Sequence, residues 1–138
     1  MNRLNDLAAF LKAHDNYAVL GHINPDGDTS GSCITLCLAL KAMGKRAFVY
    51  LPGGLAKMYT CFDCSVEIVS GKEFPYQPKT AFSVDVSDIQ RLGEGREIFE
   101  ACEHQAVIDH HGTNTGFGEI CFVDNFSCHL IILSFYLA

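Results

Sequence analysis

The sequence predicts an α/β domain built on a mainly parallel sheet. Two observations point there: short apolar runs bounded by turn residues alternate with stretches of helical periodicity, and polar clusters follow several of the apolar runs directly. A third is composition. With 138 residues, 49% of them hydrophobic and 19% charged, the chain is the size of one ordinary globular domain. Such a chain can bury a core without disulfide staples or a structural metal. It shows no linker, internal repeat or low-complexity stretch.

The elements follow in order. Leu4, Leu7, Ala8 and Leu11 fall on one stripe of an amphipathic first helix. Residues 17–21 read as a buried strand, and residues 23–28 as a polar loop containing proline and glycine. Residues 29–43 are apolar nearly all round at helical spacing, which predicts a largely buried helix with Gly44 at its C-terminus. Residues 46–51 form a second strand, Pro52-Gly53-Gly54 a turn rather than a phosphate loop, and residues 55–62 a short helical stretch. Further strands are expected at 66–69, 81–86, 105–108 and 120–123. Ser87 or Asp88 is placed to cap the helix after the fourth run, with Gly93 and Gly95 interrupting it before it resumes toward Cys102. Phe48, Phe82, Phe99 and Phe122 read as core.

Charge and cysteine usage narrow the function classes. Ten Lys and Arg against 16 Asp and Glu leave a formal net charge of -6. That balance disfavours non-specific binding to nucleic acid or anionic membranes, which needs clustered cations. A phosphate substrate stays open, because a bound metal reverses the local sign. The N-terminus lacks a signal core, and no apolar run approaches the ~18 residues of a membrane helix. Seven cysteines without an export signal suggest free thiols in a reducing cytoplasm. Cys61 and Cys64 form a C-x-x-C, but no second pair accompanies it, so both read as structural rather than zinc-binding.

The chemistry collects in three places. His22, Asp26 and Asp28 follow the first strand, Asp85 ends the 81–86 strand, and Asp109-His110-His111 end the 105–108 strand. In a parallel sheet the carboxyl ends of the strands share one edge, where ligands bind. Four carboxylates gathered there repel one another, and divalent cations are the natural remedy. The mixture of carboxylate and imidazole suits manganese, with zinc, cobalt or iron open on ligand type alone. So many ligands favour two ions, ~3.5–4 Å apart across a bridging carboxylate. The helix starting near Thr29 adds backbone N–H groups on the same side. Pro25 stiffens the loop and Gly27 permits its turn. His14, His104 and His129 read as solvated surface residues, and Asp88 and Asp124 as caps or turn formers.

Three stretches resemble motifs I, II and III of the DHH phosphoesterase superfamily. They are His22-Ile23-Asn24-Pro25-Asp26-Gly27-Asp28-Thr29-Ser30-Gly31-Ser32, Val84-Asp85-Val86-Ser87-Asp88 with Arg91-Leu92-Gly93, and Ile108-Asp109-His110-His111. Gly112-Thr113-Asn114 followed by Phe117-Gly118 looks most like the bifunctional oligoribonuclease and pAp phosphatase (nanoRNase) branch. The resemblance implies helices on both faces of the sheet, and His22, Asp26 and Asp85 on one Mn2+. Asp28, Asp85 and His110 would hold a second, with Asp85 bridging. His111 would meet the scissile phosphate or leaving group, and Asp109 would orient a histidine. Asp85, Asp109, His110 and His111 form the catalytic group, while Asn24 and Ser32 join His111 in substrate binding by supporting the loop.

The implied reaction is hydrolysis of short oligonucleotides or 3′-phosphoadenosine 5′-phosphate by metal-activated hydroxide, in the cytoplasm. A catalytically inactive metal-, nucleotide- or partner-binding module, an inorganic pyrophosphatase and a cyclic-dinucleotide phosphodiesterase are the alternatives. A fourth family motif carrying a further aspartate, and a glycine-rich substrate domain, have no counterpart here. Residues 1–138 therefore read as an incomplete metal-binding domain. Its apolar end at 130–137 is expected to favour self-association or homo-oligomers.

Overall fold

The computed structural model describes residues 4–54 and 65–123. The helical stretch expected at 55–62, the Cys61 and Cys64 pair, Asp124, His129 and the apolar run at 130–137 lie outside the described residues. Helix α1 (Leu4–Ala13) leads into β1 (Tyr17–Leu20), α2 (Gly27–Ala42), β2 (Ala47–Tyr50) and β3 (Ile68–Val69). Then come β4 (Thr80–Val84), a 3-10 helix (Ile89–Leu92), α3 (Gly95–Ala101), β5 (His104–Asp109) and β6 (Ile120–Val123).

The strands pair in the order β3-β2-β1-β4-β5-β6, and every pairing is parallel. The chain winds outward from β1 to β3, then returns to lay β4 on the other side of β1. That reversal opens a crevice at the carboxyl ends of β1 and β4, the usual ligand position in an open parallel sheet.

Side-chain alternation along the strands sorts the core into two layers. Tyr17 and Val19 of β1 join a cluster with Leu7, Phe10 and Leu11 of α1 and Leu36, Cys37 and Leu40 of α2. Ala18 and Leu20 point the other way, into a cluster with Leu92, Ile98, Phe99 and Cys102. Helices thus cover both faces, which is why β1 and β4 are buried along their whole length. Burial of each such large side chain contributes about 1.5–3 kcal/mol. Phe48, Phe82 and Phe99 are buried as expected, and Phe122 partly so. Cys33, Cys37, Cys102 and Cys121 are buried, and burial pushes Cys37 up to about 12 and Cys102 up to about 11. They behave as small hydrophobes, not nucleophiles.

Most boundaries shift by one or two residues from the sequence-based expectation, and three of the shifts bear on the crevice. Helix α2 begins at Gly27 rather than near Thr29, because the Asp26 carboxylate accepts the Thr29 N–H at 2.9 Å and caps the first turn. Strand β4 stops at Val84, so Asp85 lies just beyond it, with φ +61°. Gly95 opens α3 instead of interrupting a helix; the break is at Gly93, with φ +58°, after the 3-10 helix that Asp88 caps. His14 and His104 are not independent surface residues either. Their rings stack with centroids 3.9 Å apart, and His104 Nδ1 lies 3.3 Å from Glu119 Oε2.

Two glycines hold the crevice together by lacking a Cβ. One added at Gly21 would lie 2.7 Å from Leu51 Cδ2 and 2.8 Å from Thr29 Cγ2, and one at Gly93 only 2.5 Å from Ile23 Cγ2. Gly21→Ala should therefore destabilise the fold by about 1–3 kcal/mol through overpacking, read as a lower midpoint in urea denaturation. An unchanged midpoint would mean that α2 can move away from β1 freely.

Candidate metal centre

The loop after β1 is pinned from two sides before it presents any ligand. Ile23 N donates to Arg91 O at 2.8 Å, tying the loop to the 3-10 helix. His22 Nδ1 lies 2.6 Å from Ile23 O; a carbonyl can only accept, so Nδ1 carries a proton and Nε2 is the ring nitrogen available to a cation. That nitrogen lies 2.7 Å from the Thr29 hydroxyl and 3.9 Å from Asp85 Oδ2. Asp26 stands at the start of α2. Burial alone would raise its pKa, but hydrogen bonds from Thr29 and the nearby His22 outweigh this and hold it below the ordinary value.

Asp85 is the centre of the arrangement. Its N–H donates to Ile108 O at 3.0 Å, joining the end of β4 to β5, and its left-handed backbone turns the carboxylate inward. The side chain is almost fully buried. Oδ2 faces His22, whereas Oδ1 lies 2.8 Å from His110 Nε2 and 3.8 Å from His111 Nδ1. Oδ1 nevertheless accepts no hydrogen bond of acceptable geometry among the described residues. The His110 contact has the distance of a hydrogen bond without its direction.

Two sets of donor atoms meet at this residue. His22, Asp26 and Asp85 each offer one atom within 4.8 Å of the others, and so do Asp85, Asp109, His110 and His111. Asp28 Oδ2 lies 3.5 Å from His110 Nε2, and Ser32 Oγ donates to Asp28 Oδ1 at 3.4 Å. No Lys or Arg among the described residues lies within 4 Å of these carboxylates. An orphaned buried carboxylate oxygen, clustered imidazoles and uncompensated negative charge together fit a divalent cation.

Within the second set, Asp109 and His111 satisfy each other. Asp109 Oδ1 accepts from His111 Nδ1 at 2.6 Å and from His110 N at 2.8 Å, while Oδ2 accepts from Asn114 Nδ2 at 2.8 Å. Asp109 is fully buried, so its charge is held by three donors. His111 Nε2 makes no hydrogen bond among the described residues, on a ring that is nearly half exposed.

Comparison with known proteins completes the picture. Residues 16–128 match the model of the DHH family, N-terminal domain. The chain belongs to the DHH family. It is 32% identical over 120 residues to the bifunctional oligoribonuclease and PAP phosphatase NrnA of Thermus thermophilus, a match covering 86% of this chain and 35% of that one. The chain thus spans about a third of that relative's length. Its fold is similar to that of an exopolyphosphatase-related protein from Bacteroides fragilis, with a TM-score of 0.83 and 22% identity, over 97% of this chain and 42% of that chain.

In this DHH chain the crevice brings His22, Asp26, Asp28, Asp85, Asp109, His110 and His111 to one sheet edge. Ser32 is fully buried behind Asp28, so it props a carboxylate and does not itself face the crevice. Asn24 is exposed, with φ +52°, beside Pro25, Pro52, Gly53 and Gly54 at the rim. Its side chain makes no hydrogen bond among the described residues. Two residues were not singled out from the sequence. Thr29 lies against His22 and Asp85, and Asn114 ties Asp109 to Val86 O at 3.1 Å. Both lie inside the motif stretches, but only the three-dimensional contacts distinguish them from their neighbours.

Crowding has a measurable consequence at Asp28. Burial, then the charge of Asp85, raises its pKa above the ordinary value. A raised acid pKa means that the folded state holds its proton more tightly than the unfolded state does. Stability without cations therefore falls as pH rises from the unfolded pKa through the raised one. Asp28→Asn should raise the melting temperature at neutral pH in chelator by a few degrees, yet weaken divalent-cation binding. Calorimetric melts with and without Mn2+ test both signs; a lower melting temperature in chelator would contradict the repulsion.

Proposed function

We propose that this chain is the metal-holding part of a manganese-dependent phosphoesterase that hydrolyses short oligonucleotides or 3′-phosphoadenosine 5′-phosphate. One observation supports it above the others: the two oxygens of Asp85 address different imidazoles, His22 through Oδ2 and His110 through Oδ1. His22, Asp26 and Asp85 would hold one cation, and Asp28, Asp85 and His110 a second, since Asp109 and His111 already use Oδ1 and Nδ1 on each other. Two divalent ions at such a centre activate water at neutral pH and screen charge developing on phosphate oxygens.

The protein's own groups do the rest. Asp109 holds the proton on His111 Nδ1 and so leaves Nε2 as the nitrogen that would contact a phosphate oxygen or the leaving group. Asn114 holds Asp109 in turn. Asn24, at the rim, would serve substrate binding by supporting the loop. Among the described residues no helix is long and apolar enough to cross a membrane, and buried cysteines of this kind suit a reducing cytoplasm.

The test is turnover of 3′-phosphoadenosine 5′-phosphate, a dinucleotide, pyrophosphate and a cyclic dinucleotide, side by side, with Mn2+ and with chelator. Manganese-dependent release of phosphate or mononucleotide from the first two supports the proposal. Preference for either of the last two reassigns the substrate, and cation binding without any turnover leaves a binding module.

A further inference from the structure

Thr29 sits where the two ligand-bearing loops meet, and its contacts are unusually complete for a hydroxyl. It is fully buried at the first turn of α2. Its Oγ1 donates to Asp85 Oδ2 at 2.6 Å and lies 2.7 Å from His22 Nε2, while its N–H donates to Asp26 Oδ1. One residue therefore touches all three members of the set His22, Asp26 and Asp85, which come from two distant stretches of chain. Gly21 permits this approach, because a Cβ there would collide with Thr29 Cγ2.

The bond to Asp85 matters through geometry. A carboxylate on a free χ2 torsion can turn both oxygens to one cation, or give one oxygen to each of two. With Oδ2 held on the Thr29 hydroxyl, Oδ1 is turned to the opposite side, toward His110 and His111. The backbone of Asp85 is held at the same time by Ile108 O, so neither end of the residue is free to rotate.

We propose that Thr29 is a positioning residue that fixes Asp85 in the bridging orientation, one oxygen toward each set of ligands, and so couples the two cation sites. This rests on the metal reading of the crevice given above. It assigns Thr29 no contact with substrate, only control over how Asp85 is presented.

The test compares Thr29→Val, which keeps shape but removes the hydroxyl, with Thr29→Ser, which keeps the hydroxyl, and with Asp85→Asn. The 138-residue chain is titrated with Mn2+ by calorimetry, and the loaded samples are read by electron paramagnetic resonance. We expect two equivalents and an exchange-coupled spectrum for the unaltered chain and for Thr29→Ser, with affinities agreeing within about threefold. Thr29→Val should lose the second equivalent and the coupled signal, and bind the first about 10–100-fold more weakly, the usual cost of losing a supporting hydrogen bond behind a metal ligand. Thermal melts establish that each variant is folded. Should Thr29→Val not fold, Thr29→Ala, which likewise lacks the hydroxyl, makes the same comparison. Two coupled equivalents of unaltered affinity in the hydroxyl-less variant, with none in Asp85→Asn, would overturn the role of Thr29 alone. Unaltered binding in Asp85→Asn would overturn the metal reading and this inference with it.

Discussion

Asp85→Asn abolishes divalent-cation binding at both ligand sets together, leaving the fold intact. The expectation follows from Asp85 being the one residue common to His22 and Asp26 on one side and His110 on the other. The amide has nearly the same shape, so the packing of β4 against β1 and β5 is preserved. It carries no charge, however, and one of its two polar atoms becomes a donor. A cation on either side then loses a carboxylate oxygen, and His22 and His110 lose the group between them. In thermal melts the unaltered chain should gain about 2.7 kcal/mol of stability at a Mn2+ concentration 100 times its dissociation constant. Asp85→Asn should gain none, and any manganese-dependent hydrolysis should fall to background. Retention of one full equivalent would show that the two sets do not share this carboxylate.

The second large effect is expected at Asp109, for a different reason. Three donors converge on its carboxylate: His111 Nδ1, His110 N and Asn114 Nδ2. Asparagine offers one carbonyl oxygen and one NH2 group, so in either orientation a buried donor faces another donor. Asp109→Asn should lower stability by about 1–3 kcal/mol, the cost of leaving a buried polar group unsatisfied. It should also lower turnover by about 10–100-fold, because His111 loses the partner that fixes its tautomer and direction. Mn2+ affinity should change less than turnover does, since Asp109 acts on His111 and not on the cations. Nitrogen-15 chemical shifts of His111 would report the tautomer directly. A shift pattern unchanged by the substitution would contradict the orienting role.

The parts of this fold that the sequence discloses are those set by periodicity and by residue type at strand ends. The runs read at residues 17–21, 81–86 and 105–108 become strands because both faces are covered, and the polar residues at their ends meet because a parallel sheet puts its carboxyl ends on one edge. What the sequence does not disclose depends on contacts between distant segments. The left-handed turn at Asp85 looks like one more strand residue in one dimension. Thr29 and Asn114 are small polar residues of a kind found in any loop, and their roles come from the carboxylates and imidazole they face. The stacking of His14 on His104 arises because the end of α1 and the start of β5 share the amino edge of the sheet. There, burial and then the neighbouring His104 lower the pKa of His14.

The central claim is that Asp85 bridges two cations between the ends of β1, β4 and β5. Anomalous diffraction from crystals grown with Mn2+ tests it most directly. The account predicts two peaks about 3.5–4 Å apart, one beside His22 and Asp26 and the other beside Asp28 and His110, with Asp85 between them. A map with no peak at Asp85, or with a single peak that leaves one of the two imidazoles unliganded, would contradict it.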